Sequence, residues 1–236
     1  MRSILNPGRV AGLWYLLLIL AGPLRLIYIP SKLFVDGNPA ATAANIVAHE
    51  WLFRWGMVDE VVIGVILIFL VMAFYRLFEG VDRNLSALVV ILGGVMPATI
   101  HFINTVSDAG ALMAARGTDF FSAFGKPQRD ALVMLFLELH GRLYTSAETL
   151  WGLWLLPLAI LVYRSRFVPR FLGIWLAING LAYIIISIVG LLVPQYQDRV
   201  FSISVPARYG ELALMLWLVF RGAKPPTSAV DSSEMW

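Results

Sequence analysis

Phe171-Leu-Gly-Ile-Trp-Leu-Ala-Ile-Asn-Gly-Leu-Ala-Tyr-Ile-Ile-Ile-Ser-Ile-Val-Gly-Leu-Leu-Val193 holds no Asp, Glu, Lys or Arg, and the charge-free run continues to Gln197. A helix of about 20 apolar residues crosses the roughly 30 Å of hydrocarbon in a bilayer. The stretch therefore reads as a transmembrane helix, and residues 84–107 form a second run free of charge. Working outward, apolar stretches place six spans near 10–29, 52–77, 85–112, 131–162, 171–193 and 205–221. The runs are continuous, whereas a membrane barrel needs alternation. The expected fold is all-α: one polytopic transmembrane bundle over residues 1–224, with a polar tail at 225–236 read as flexible.

Composition agrees. The 236 residues are 59% hydrophobic and 14% charged, with a mean hydropathy of +0.78. Soluble domains are about 45–50% apolar and about 25% charged. The net charge of +3 comes from scattered basic loops with no basic run, so a nucleic-acid partner is excluded and the lipid bilayer is the expected one. With no cysteine, thiolate catalysis, disulfides and Cys-ligated zinc are excluded.

The N-terminal run begins with basic residues, as a signal peptide does, but Pro23 and Arg25 stand where cleavage would fall. An uncleaved first span is expected. Orientation follows the Lys and Arg count by side. Arg2, Arg9, Arg76, Arg83, Arg164, Arg166, Arg170, Arg221 and Lys224 fall on one side; Lys32, Arg116, Lys126, Arg129 and Arg199 fall on the other. The richer side is cytoplasmic by that rule, which puts both termini inside. Asn38-Pro39 predicts a short external helix before the second span, and Lys126-Pro127 announces the fourth. Phe120, Phe121 and Phe124 are expected to form an interfacial aromatic segment.

Charges inside a membrane cost a few kcal/mol each and face protein or water. Glu50, Asp59, Glu60, Asp108, Glu138, Glu148 and Glu211 lie in or at the spans, against Arg25, Arg54, Arg142 and Arg208. Carboxylates are in excess, and the charges gather in the outer half of the bundle, which points to an outward-facing polar chamber. Helical spacing sorts them. Glu50–Arg54 and Glu138–Arg142 are i,i+4 pairs, and Arg208–Glu211 is an i,i+3 pair. A structural reading has those six neutralise one another and makes Glu138→Ala and Arg142→Ala destabilising. A functional reading lets Arg54, Asp59, Glu60, Arg142, Arg208 and Glu211 hold a small polar ligand or ion.

His101, Asn104 and Asp108 share one helical face, within about 60° at 100° per residue. His140, Tyr144, Glu148 and Trp151 share another on the fourth span. Convergence of His101, Asp108, His140 and Glu148, with Asp59 or Glu60, is expected. Such a cluster has the donors for a divalent metal and for acid–base catalysis. Gly93-Gly94, Gly180 and Gly190 are expected at helix contacts.

Tyr28-Ile-Pro-Ser-Lys-Leu33, Ala40-Ala-Thr-Ala-Ala-Asn-Ile46 and Glu50-Trp-Leu-Phe-Arg54 resemble the bacterial membrane family DUF4386, a domain of unknown function. Gly152-Leu-Trp-Leu-Leu-Pro157, Val162-Tyr-Arg-Ser165 and Gly210-Glu-Leu212 fit the same pattern, and the resemblance spans residues 8–222. It implies a six- or seven-span protein of the bacterial cytoplasmic membrane with no assigned activity, and it draws attention to Glu50, Arg54 and Glu211. Three functional classes stay open: ligand or ion binding and transport, an intramembrane enzyme, and a structural or assembly partner.

Overall fold

The computed structural model describes residues 6–225; Arg2 and segment 226–236 of the polar tail lie outside the described residues. All regular structure there is helical. Helix α1 is Pro7–Leu33, α2 Pro39–Ala48, α3 Glu50–Phe78, α4 Arg83–Arg116, α5 Lys126–Ser165, α6 Arg170–Leu192, α7 Gln197–Ile203 and α8 Val205–Phe220. Of these, α1, α3, α4, α5 and α6 are long and apolar enough to cross a membrane. A sixth crossing exists if Pro194–Ile203 and Val205–Phe220, bent by 54°, count as one. The bend has a reason in length: the 16 residues of α8 reach only about 24 Å at 1.5 Å per residue.

Local chemistry sets the helix starts. Asn38 caps α2 by accepting a hydrogen bond from the Ala41 amide at 3.0 Å, as the Asn-Pro pair predicts. Lys126-Pro127 opens α5, whose 40 residues extend beyond the expected 131–162. Phe120 and Phe124 are exposed, but Phe121 is buried against Ile46, Leu112 and Val133. The aromatic segment therefore anchors α2 and the end of α4 and does not simply float at an interface.

Glycines set the closest helix crossings. A Cβ on Gly152 would lie 2.4 Å from the Gly180 carbonyl oxygen, and one on Gly180 would lie 2.8 Å from that of Gly152. Thus α5 and α6 touch backbone to backbone. Gly8 and Gly12 do the same for α1 and α8. Their Cβ atoms would fall 2.2 Å from the Ala223 nitrogen and 2.7 Å from the Val219 nitrogen. Asn6 fastens this end, its side-chain oxygen accepting from the amides of Gly8 at 3.0 Å and Ala223 at 2.9 Å.

The core is layered. One apolar layer holds Tyr15, Leu70, Phe74, Phe78, Trp154 and Leu158. The other holds Ile29, Leu33, Phe53, Leu112, Phe121 and Val133. Along α1, α3, α4 and α5 buried polar residues fall between these layers: Arg25, Asp59 with Glu60, His101 with Asn104 and Asp108, and His140. Each of the four helices thus reads apolar, polar, apolar, and the polar segments fall at one depth.

Candidate functional site

Arg25 reaches the polar layer through an irregularity in α1. Pro23 lacks an amide hydrogen, and Leu24–Tyr28 relaxes into a π-helical turn, the kind of bulge that often sits at functional sites. Arg25 is buried while its neighbours Leu26, Ile27 and Tyr28 are exposed. Its Nε donates to Asp108 Oδ2 at 3.1 Å and its Nη2 to Oδ1 at 2.7 Å. This is a bidentate fork, the strongest geometry a guanidinium offers a carboxylate.

His140 adjoins the fork, its Nδ1 lying 3.1 Å from Asp108 Oδ1 and 3.2 Å from Arg25 Nη2. Glu60 completes the cluster from α3. Its Oε2 meets His101 Nδ1 at 2.7 Å, and its Oε1 accepts from the Tyr144 hydroxyl at 2.7 Å. The same Oε1 lies 3.5 Å from His140 Nε2 and 3.9 Å from Arg25 Nε. Arg25, Glu60, His101, Asp108 and His140 are all nearly sealed from solvent. In that setting a charge is tolerable only when paired and hydrogen-bonded.

Glu60, Asp108 and His140 offer one ligand atom each within 4.8 Å of one another, the only such group found among the described residues. The Arg25 guanidinium stands among those atoms and holds both oxygens of Asp108. A divalent ion would have to displace a buried cation anchored by its own helix. The donor set already has its cation, so the metal reading does not fit this arrangement.

A second polar group lies nearer α8. Glu211 accepts from the Tyr15 hydroxyl and from Asn179 Nδ2, the latter at 3.2 Å. Arg208 lies over the Phe201 ring at 3.6 Å and donates from Nη2 to the Phe201 carbonyl at 3.1 Å. A cleft of about 470 Å³ joins the two groups: His101 lines it from the first, and Tyr15, Tyr183, Arg208 and Glu211 from the second. Trp151, Trp154 and Leu67 form its apolar wall.

Several expected residues stand elsewhere. Glu138 and Arg142 pair at 2.8 Å, but their side chains are 64% and 52% exposed. They lie on the outer surface of the bundle and so stand apart from the buried cluster. Glu50 pairs with Arg54 at 2.7 Å and with Arg116 at 3.5 Å, again partly exposed. Arg54 and Arg142 therefore do not join the cleft. Arg208 and Glu211 do not pair with each other; each takes the partners given above. Glu148 does not meet the histidines either. It is buried, and its Oε2 has no partner. Asp59 is buried beside Glu60, and its Oδ2 has no partner. The sequence reading placed Arg25 only at a span end and assigned no role to Tyr15 or Tyr183. The visible signal for Arg25 was a lone cation just after a proline within an apolar run.

Apolar helices long enough to span a bilayer, packed around a buried layer of paired charges, define a polytopic helical membrane protein. The chain belongs to the family described as "Domain of unknown function (DUF4386)", whose model matches residues 10–222. No curated protein and no solved structure matches it.

Proposed function

We propose that this protein is a ligand-binding protein of the bacterial cytoplasmic membrane, with both termini inside, and that the cleft between α1, α5 and α8 is its working site. The observation that carries this reading is the cleft itself. Its volume of about 470 Å³ falls in the range of small-molecule sites, about 300–1,000 Å³. Its walls combine aromatic and aliphatic side chains with a few polar groups, as such sites do. Beneath it Leu70, Phe74, Leu155 and Leu158 are packed with almost no exposure. The reading is therefore of binding, with no open passage to the opposite end.

The orientation rests on the basic residues that gather at one end. Arg9 donates to the Phe220 carbonyl, Arg164 pairs with Asp82, Arg83 reaches Tyr75, and Arg166 and Arg170 border Trp217. The positive-inside rule makes that end cytoplasmic.

One contact favours an enzyme instead. Glu60 holds His101 by Nδ1, and a histidine so oriented at a cleft wall is a candidate general base. The volume and the largely aromatic and aliphatic lining match binding more closely, and binding is the reading retained.

The test uses Gly22, which lines the cleft and whose added Cβ would meet only Leu26 Cδ1, at 3.9 Å. Gly22→Phe fills the cleft without forcing backbones apart. Native mass spectrometry of protein released from mild detergent should show a bound small molecule on the wild type that is absent from Gly22→Phe. A wild type that carries no molecule, and whose melting temperature no compound in a broad screen raises, overturns the reading.

A further inference from the structure

We infer that the occupant of this cleft is a membrane-dissolved amphiphile, an apolar chain that ends in a hydrogen-bond acceptor, and that it enters sideways between α1 and α8. The inference rests on the binding reading above and adds the route, shape and polar contact of the ligand.

The route follows from one stripe of α1. Gly8, Gly12, Tyr15, Ile19 and Gly22 recur every three or four residues and so share one face of the helix. The start of that face is pressed onto the end of α8. A Cβ on Gly8 would fall 2.2 Å from the Ala223 nitrogen, and one on Gly12 2.7 Å from the Val219 nitrogen. Tyr15 still reaches across, its hydroxyl donating to Glu211. By Gly22 the same face meets no other helix, for an added Cβ has only Leu26 Cδ1 within 4 Å, at 3.9 Å. The two helices therefore part between Tyr15 and Gly22, and the cleft lies in the gap.

The mouth of that gap is apolar and turned outward. Pro23, Leu26 and Ile27 end the lining on α1, and Leu26 and Ile27 are 49% and 66% exposed. In a helix long and apolar enough to cross a bilayer, exposed side chains of this kind meet lipid. A molecule dissolved among the acyl chains thus reaches the cleft by moving along the bilayer.

Shape and retention come from the walls. Leu18, Ile19, Leu67 and Leu212 present hydrocarbon to the cleft, and Trp151 and Tyr183 line it from α5 and α6, meeting edge to face with centroids 5.9 Å apart. Lipid tails are as apolar as such a wall, so the wall alone gives a chain no reason to stay. A fixed polar contact does. Arg208 lines the cleft, and while its Nη2 donates to the Phe201 carbonyl, its buried Nε has no partner. A buried donor left unpaired is costly, and an oxygen on the occupant satisfies it. Carbonyl, ester and hydroxyl oxygens all accept, so the contact fixes an acceptor and sets no requirement on net charge.

The probes are a phosphatidylcholine with a diazirine on one acyl chain and a short water-soluble alcohol carrying the same diazirine. Each is added to the protein in phosphatidylcholine nanodiscs and irradiated, and its adducts are mapped by peptide mass spectrometry. The lipid probe should label Trp151 and Tyr183 in the cleft as well as Leu20, which is 66% exposed on α1 and does not line the cleft. Gly22→Phe should abolish the adducts at Trp151 and Tyr183 and keep those at Leu20. Arg208→Met, which removes the Nε donor, should lower the cleft adducts about tenfold relative to Leu20. Labelling of Leu20 without the cleft overturns the inference, as do cleft adducts that either variant leaves unchanged, or stronger labelling of the cleft by the water-soluble probe. If the lipid probe misses the cleft while native mass spectrometry shows a molecule lost in Gly22→Phe, the lipid inference fails and the binding site stands. If no molecule is found by either route, both fail.

Discussion

Arg25→Met is the most informative single perturbation of the buried layer. Methionine keeps much of the arginine stem and removes the fork that holds Asp108 by two hydrogen bonds. Asp108 is left with His140 in a site that water does not reach. Breaking one partner out of a buried ion pair costs about 3–5 kcal/mol, because the surviving charge stays desolvated. For a chain of this length each kcal/mol is worth about 2–4 °C in melting temperature, so the expected loss is about 6–20 °C. The control is Arg164→Met, whose pair with Asp82 sits at the basic end of the bundle with the arginine more than half exposed and is worth about 0.2–1 kcal/mol, less than about 4 °C. The assay is thermal unfolding in detergent followed by tryptophan fluorescence. The double variant Arg25→Met/Asp108→Leu should recover most of the loss, since replacing both charges by apolar groups removes the desolvation cost altogether. If Arg25→Met melts within about 2 °C of wild type, or if the double variant loses as much as the two single variants together, the pairing does not hold the layer and the reasoning fails.

The other expectations are narrower. Removing the guanidinium with Arg25→Ala should open the Glu60, Asp108 and His140 donors to a divalent ion. Zinc at about 100 times its dissociation constant would then stabilise that variant by about 2.7 kcal/mol and leave the wild type unchanged; an equal rise in both would show that the guanidinium does not occupy the site. Gly12→Leu should destabilise by about 1–3 kcal/mol or more, because its Cβ meets the Val219 backbone nitrogen at 2.7 Å, whereas Gly22→Leu, ten residues along the same helix, should melt as wild type does; comparable losses in the two would contradict the divergence of α1 from α8. Because the chain has no cysteine, an introduced one is a unique reporter. A membrane-impermeant maleimide added to intact cells should label Asp36→Cys and spare Glu79→Cys, and the reverse pattern would invert the orientation.

How legible the molecule was depended on the range of the interaction. Helix class and positions follow from runs such as 171–193, since a bilayer rewards continuous apolar length and little else matches that pattern. Asn38-Pro39 is local and readable residue by residue; among the glycine contacts Gly180 was expected, but its partner Gly152 and the Gly8 and Gly12 contacts across α1 and α8 were not. Shared faces were readable too: His101 and Asp108 do lie together on α4 and both turn inward. Pairing between helices was less so. The i,i+4 spacing of Glu138 and Arg142 correctly placed them together but says nothing about which way the pair faces, and it faces out. The i,i+3 spacing of Arg208 and Glu211 lost to partners on other segments, Phe201 for the first and Tyr15 with Asn179 for the second. Arg25 was hardest, because a π-helical turn changes the phase of everything after it, and no periodicity rule anticipates one.

The layering bears on function in a way that the individual contacts do not. Phe53 and Phe121 belong to the apolar layer at one end of the bundle, and Phe74 and Phe78 to the layer at the other. Of the residues in the Arg25 cluster, His101 alone also lines the cleft, while its Nδ1 is held by Glu60. His101 thus ties the cleft wall to Glu60, and Glu60 in turn contacts Tyr144, His140 and Arg25. In the binding reading proposed above, His101 is the contact through which the cleft and the buried cluster act as one site.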